Sequence, residues 1–352
     1  MDLSFYKDKT VFVTGHTGFK GSWMCKVLLM HGAKVVGYSL EAPTEPSLFD
    51  VLELDKQMIS VIGDIRDLKH LQDTMQQYQP EIVIHMAAQP IVRESYVDPV
   101  YTYEANVMGT VHFLEAVRHC PSVKSVINVT TDKVYQNNEW EWGYREIDAL
   151  DGYDPYSNSK SCSELVTNSY KKSFFHDRDI AISTCRAGNV IGGGDFAKDR
   201  IIPDCVRAME TGTDIIVRNP YSTRPYQHVL EPVCTYLDLA ARQYAERDKY
   251  QGSYNIGPDD CDCVTTGDLA DLFCTSWGDG AKWINKSEAN APHEANFLKL
   301  DCAKIKRTIG WQARWHIADA VAKTVEWSKA WLNGEDMNAV TDAQIKEFLN
   351  IQ

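Results

Sequence analysis

A chain of 352 residues, 44% of them hydrophobic and 24% charged, can bury one large core or two moderate ones and has the make-up of an ordinary globular protein. Its net charge of -13 argues against a nucleic-acid coat or a binder of anionic membranes, and no apolar run approaches the roughly 20 residues that span a bilayer. The opening MDLSFYKDKT is too polar for a secretory leader, and the ten cysteines contain no C-x-x-C pair, so the expectation is a cytoplasmic protein with reduced thiols. Cys261 and Cys263 stand too close together for a zinc knuckle, and no metal is expected.

Residues 10–14 read as a first strand and 20–31 as the helix behind it. Strands follow at 34–40, 59–65 and 81–88, then a long helix at 100–119, a fifth strand at 125–130, a second long helix at 156–176 and a sixth strand at 180–186. Short β-branched runs alternating with helical stretches predict βαβ units on a parallel sheet. The fold class is therefore α/β, a doubly wound (Rossmann) sheet whose ligands sit at the carboxyl ends of the strands. Beyond residue 190 a Gly192-Gly193-Gly194 loop, short helices and an isolated strand at 214–218 predict a smaller C-terminal α/β lobe. The division expected is 1–190 for a dinucleotide domain and 191–352 for a substrate lobe, with some chain crossing back.

Between the first strand and first helix lies Thr14-Gly15-His16-Thr17-Gly18-Phe19-Lys20-Gly21. Glycines there permit a tight turn and the close approach of a pyrophosphate to a helix N-terminus, whose free N–H groups and dipole favour anions. The spacing is G-x-x-G-x-x-G rather than G-x-G-x-x-G. The second strand closes on Tyr38-Ser39-Leu40, with neither a ribose carboxylate nor an arginine for a 2′-phosphate, so NAD is the expected cofactor. Asp64 closes the third strand near the adenine, and Ala87 and Ala88 leave room for a ribose.

Tyr156 and Lys160 share one face of a helix at i, i+4. A phenol acting as base must ionise below its usual pKa of about 10, and a cation about 4 Å away is worth roughly 4 kcal/mol at an effective dielectric near 20. Thr130-Thr131-Asp132-Lys133 closes the fifth strand at the same end of the sheet, where Thr131 can hydrogen-bond the phenol and a substrate hydroxyl. A Y-x-x-x-K spacing also arises by chance, and Thr131 and Asp132 have ordinary strand and turn readings.

With these motifs in this order, the chain resembles the extended short-chain dehydrogenase/reductase superfamily, in its nucleotide-sugar branch. The likeness runs through His85-Met86-Ala87-Ala88-Gln89, Asn106, Arg186-Ala187-Gly188-Asn189, Arg200-Ile201-Ile202-Pro203, Arg218-Asn219-Pro220 and Arg224-Pro225-Tyr226-Gln227-His228. It implies catalysis by Thr131, Asp132, Lys133, Tyr156 and Lys160. It places Gly15, Thr17, Gly18, Phe19, Lys20, Gly21, Tyr38, Ser39, Asp64, Ile65, Ala87, Ala88, Gln89, Asn106, Thr130 and Arg186 at the cofactor, together with Tyr156 and Lys160. Gln89, Thr131, Asn189, Arg200, Ile201, Arg218, Arg224 and His228 fall at the substrate.

Asp132-Lys133, where related dehydratases carry Asp-Glu, is most similar to the 4,6-dehydratases that act on CDP-glucose. That likeness implies conversion of CDP-D-glucose to CDP-4-keto-6-deoxy-D-glucose with no net redox change. Tyr156 would take the C4 hydroxyl proton, Asp132 would protonate the water lost from C6, and Lys133 would be either the C5 base or an electrostatic stabiliser. It also implies bacterial surface-polysaccharide synthesis and a homodimer or homotetramer built on the two long helices. The alternatives are a GDP-mannose or dTDP-glucose dehydratase, a 4-epimerase, and a nicotinamide-sensing protein without catalysis.

Overall fold

The structure, a computed structural model, describes residues 1–287 and 297–350. Its central sheet has seven parallel strands, one more than the sequence predicts. They are β1 (Thr10–Thr14), β2 (Lys34–Ser39), β3 (Ile59–Ile62), β4 (Ile82–His85), β5 (Ser125–Val129), β6 (Ala181–Ala187) and β7 (Ser253–Ile256), in the order β7-β6-β5-β4-β1-β2-β3. Every residue of β4, β5 and β6 is buried, as strands covered on both faces require. The direction of winding reverses between β1 and β4, and in such sheets the ligand crevice lies there, outside the carboxyl ends.

β7 escaped the sequence reading because it is short and half polar. Asn255 is nevertheless fully buried, since its amide donates to the carbonyl oxygens of Tyr144 at 2.7 Å and Asp301 at 3.1 Å. β3 stops at Ile62 rather than at residue 65. A Cβ on Gly63 would stand 2.5 Å from the Tyr38 ring, and the chain then turns as Arg66 folds back onto Asp64.

Helix α1 (Phe19–Met30) follows β1. The helix expected at 100–119 starts at Pro99, widens into a π turn at Glu104–Met108 and continues as α2 (Gly109–Arg118). Helix α3 (Pro155–Phe174) begins on a proline, and the Asp154 carboxylate accepts the Ser157 N–H at 2.9 Å; an Asp cap with Pro at the first position fixes the start of a helix. Tyr156 therefore lies in the first turn.

The second half builds α4 (Ile201–Thr211), α5 (Leu230–Ala245) and α6 (Ile317–Leu332). A separate apolar cluster unites Ile202, Cys205, Phe273 and Val321. α5 crosses back beneath the sheet, where Ser125 donates to the Ala240 carbonyl at 2.8 Å and Gln243 to that of Val126 at 3.0 Å. No helix among the described residues is long and apolar enough to cross a membrane.

Candidate active site

The turn after β1 is shaped by missing side chains. Gly15 has φ +78°, and a Cβ on it would meet the Ala87 nitrogen at 2.8 Å. A Cβ on Gly21 would stand 2.0 Å from the Gly15 carbonyl oxygen. Gly18 precedes the first residue of α1, with extended backbone. This cradle of close backbone and a free helix start fits a dinucleotide pyrophosphate.

Around the cradle, Thr17 donates to the Leu40 carbonyl at 2.9 Å and lies 2.9 Å from the Ser39 hydroxyl. Asp64 is held below the usual carboxylate range, chiefly by its hydrogen bonds from Arg66. Ile65 packs against Gly109, and Ala87 and Ala88 are half-buried. Asn106, in the π turn, bridges both sides of the crevice: it accepts from the Gln89 N–H at 2.8 Å and donates to Ser159 at 2.9 Å. The Gln89 side chain is taken up by Thr102 and the Ile91 N–H.

At the end of β5 the site changes character from backbone to buried charge. Asp132 is 1% exposed. One carboxylate oxygen accepts from Thr131 at 2.9 Å; the other is buried without a hydrogen-bond partner. Burial raises its pKa, opposed by Lys133, the Thr131 bond and Arg224. Gly188 leaves room for this carboxylate, because a Cβ there would approach the free oxygen to 2.9 Å. An aspartate so placed is biased toward its protonated form.

Tyr156 and Lys160 do share a face, but the electrostatics differ from expectation. Burial pushes the Tyr156 phenol up to about 12, with the Thr131 hydrogen bond and Arg200 working the other way. The Lys160 amine donates to the Val129 carbonyl at 3.3 Å, and burial and the neighbouring Lys20 bring its pKa down to about 8. Lys20 reaches from the first turn of α1 toward the same centre; burial and Arg200 lower it to about 8, while Asp132 opposes. Desolvation is the largest cause of the Tyr156 and Lys160 shifts, and Lys160 is not among the groups that lower the phenol.

The sequence-predicted substrate residues divide. Arg200, paired with Asp195 at 3.0 Å, and buried Arg224 act electrostatically on the catalytic centre. Asn189 and Ile201 are half-buried nearby in sequence, and Arg218 pairs with Asp199 at 2.7 Å. His228 lies in the core, its ring 4.7 Å from Trp315 and 5.9 Å from Trp23, with burial lowering its pKa to about 3. Tyr38 is also a core side chain, donating to the Asp64 carbonyl at 3.0 Å. Arg186 is buried against Glu164 and Tyr135, and the Thr130 hydroxyl points to Glu164 at 2.5 Å.

Two residues go unnoticed in the sequence. Tyr236 on α5 is fully buried with its hydroxyl unpartnered, and the Lys20 amine stands 5.8 Å from its ring centre. Glu164 carries the i+4 spacing from Lys160 that places both on one face, a signal available in the sequence. Cys261, Asp262 and His316 bring their ligand atoms within 4.8 Å of one another. Both Asp262 oxygens are engaged, by the Ile317 N–H at 3.0 Å and His316 at 2.8 Å, as a cap on α6.

Residues 12–324 match the family described as GDP-mannose 4,6 dehydratase. The chain is 50% identical to a CDP-glucose 4,6-dehydratase of Salmonella typhimurium over 355 residues, 99% of each chain. It is 28% identical to a dTDP-glucose 4,6-dehydratase of Streptomyces antibioticus, over 91% of this chain and 93% of that one. Among solved structures, UDP-glucose 4-epimerase of Thermotoga maritima with UDP-glucose superposes with a TM-score of 0.79 at 20% identity, covering 92% and 99% of the two chains. The dTDP-glucose 4,6-dehydratase of Bacillus anthracis in complex with NAD gives 0.75 at 19%, covering 94% and 98%. At those identities the superpositions establish the shared fold.

Proposed function

The chain belongs to the GDP-mannose 4,6 dehydratase family, and from that premise we propose that it converts CDP-D-glucose to CDP-4-keto-6-deoxy-D-glucose with NAD as a recycled cofactor. The observation that carries the substrate is the 50% identity with the Salmonella typhimurium CDP-glucose 4,6-dehydratase along the full length. The chemistry is supported by Asp132, a buried acid whose pKa burial raises and which accepts from the Thr131 hydroxyl, and by Thr131 favouring the ionised form of Tyr156.

Gly15, Gly18 and Gly21 would hold the NAD pyrophosphate, with Asp64 and Ile65 toward the adenine and Ala87, Ala88 and Lys160 toward the nicotinamide ribose. Bound there, NAD would supply the hydride acceptor for C4 and the hydride donor for C6, and its positive charge would favour an ionised phenol. Tyr156 takes the C4 hydroxyl proton, and Thr131 orients that hydroxyl. Asp132 gives its proton to the C6 hydroxyl so that it leaves as water. Lys133 removes the C5 proton if neutral, or stabilises the enolate if charged. Asn189, Arg200, Arg218 and Arg224 hold the sugar nucleotide, arginine being suited to phosphate by its planar fork of donors.

Val97 (77% exposed), Val100 (67%) and Leu165 (55%) leave apolar surface on the helices flanking α2 and on α3. A second copy docks there, giving at least a homodimer. The setting is the cytoplasm of a bacterium making deoxysugars for surface polysaccharide. The function is tested by incubating the protein and NAD with CDP-glucose, dTDP-glucose, GDP-mannose and UDP-glucose. CDP-glucose should give the keto sugar that absorbs in alkali, and faster than the others; an epimerised hexose or no product would overturn the proposal.

A further inference from the structure

Among the described residues the turn that carries Thr131, Asp132 and Lys133 belongs to no sheet, yet it is anchored at both ends. On its N-terminal side the Thr130 hydroxyl donates to one Glu164 oxygen at 2.5 Å. The other Glu164 oxygen accepts from Arg186 at 2.9 Å and Thr184 at 2.7 Å. Arg186 donates in turn to the Tyr135 hydroxyl at 2.8 Å, and that hydroxyl donates to Asn255 at 2.6 Å. Thr130 and Tyr135 are the residues that bracket the catalytic turn. Glu164 stands on the face of α3 that bears Tyr156 and Lys160, and Asn255 lies on β7.

The side chains of Glu164 and Arg186 are only 2% and 3% exposed. A buried ion pair is costly to desolvate, and apolar residues of similar volume often stabilise a fold as well, so stability alone does not account for it. What it joins is distinctive: one face of the oxidising helix, both ends of the eliminating turn, and β6 and β7. We propose that the Glu164–Arg186 pair, acting through Thr130 and Tyr135, is a positioning clamp that holds Asp132 and Lys133 in register with Tyr156 for loss of water. Arg186 and Thr130 are then positioning residues of the elimination step, both turned to Glu164, in place of the cofactor contacts expected from the sequence. The inference rests on the 4,6-dehydratase reading above.

Two variants cut the clamp at opposite ends without touching its ion pair: Tyr135→Phe removes the hydroxyl between Arg186 and Asn255, and Thr130→Val removes the donor to Glu164. Single-turnover absorbance with CDP-glucose and NAD reports oxidation at C4, and deuterium entering C5 from D2O reports elimination. Oxidation should stay within about threefold of wild type, while C5 exchange and keto-sugar formation fall by about tenfold or more, since a misplacement near 1 Å can cost about 10²-fold. The KM for NAD should not change, and Thr130→Ser should restore C5 exchange. Equal loss of both steps, no loss of either, a raised KM for NAD in Thr130→Val, or loss of the fold in both variants would each overturn the clamp. A wild-type protein that makes no keto sugar from CDP-glucose would instead defeat the functional reading beneath it.

Discussion

The two halves of the crevice are built from opposite materials. At the ends of β1 and β4 the chain makes a cradle by omission, with Gly15 and Gly21 where any Cβ would collide with backbone. Beyond the end of β5 it makes a charged centre by burial: Asp132 and Arg200 act on the Tyr156 phenol, Arg224 on Asp132, and Lys20 on Lys160. The first kind of site is local; the second depends on residues far apart in the chain and on desolvation, which moves Asp132 and Tyr156 up and Lys20 and Lys160 down. Damage to the cradle should therefore appear in cofactor binding, and damage to the centre in the chemical steps.

The largest expected break is Tyr156→Phe. It should retain CDP-glucose binding, read by calorimetry, and lose about 10²–10⁴-fold in turnover, the usual weight of a positioned acid–base group. Near-normal turnover would remove Tyr156 from the mechanism. Gly21→Ala probes the other half: its Cβ would press on the Gly15 carbonyl from 2.0 Å, so the KM for NAD should rise about tenfold or more, a cost of roughly 1.4 kcal/mol per decade, with little change in the KM for CDP-glucose. An unchanged KM for NAD would show that this turn does not hold the cofactor. Arg224→Ala should do the reverse, raising the KM for CDP-glucose several-fold and sparing NAD; an unaltered KM for CDP-glucose would leave Arg224 a structural role.

The smallest effect concerns stability and pH. Glu231, at the start of α5, is 2% exposed and accepts the N–H groups of Arg314 and Trp315 at 2.7 and 2.8 Å. Burial nevertheless pushes its pKa up from 4.5 to about 7. The folded chain then binds this proton more tightly than the unfolded chain, so the contribution is full below about pH 4.5 and is lost as pH rises through 7. Glu231→Gln should remove that slope, raising Tm at pH 8 relative to pH 5.5 by a few degrees compared with wild type. A wild-type Tm independent of pH over this window would contradict the shift.

The same contrast governs what the sequence could reveal. β1 and the glycine turn are legible because strand, turn and helix start follow one another within a few residues. Asp154-Pro155 announces the start of α3, and so the placement of Tyr156. The ion pair of Glu164 with Arg186 is not legible in the same way, because its partners meet only when β6 packs on α3, and Arg186 falls inside a motif that suggests a ligand contact. His228 misleads for a similar reason: only the folded chain shows its ring enclosed between Trp23 and Trp315. β7 is hidden by its polar residues, among them Asn255, whose partners are the Tyr144 and Asp301 carbonyls.

The proposed mechanism divides labour within the charged half: Tyr156 is the base for C4 oxidation, and the Asp132-Lys133 turn serves the elimination. Lys133→Met tests it most directly, in a single turnover with CDP-glucose and NAD in D2O. Reduced nicotinamide should accumulate while C5 keeps its protium and little keto-deoxy sugar forms. Normal turnover, with deuterium entering C5 at the wild-type rate, would contradict it.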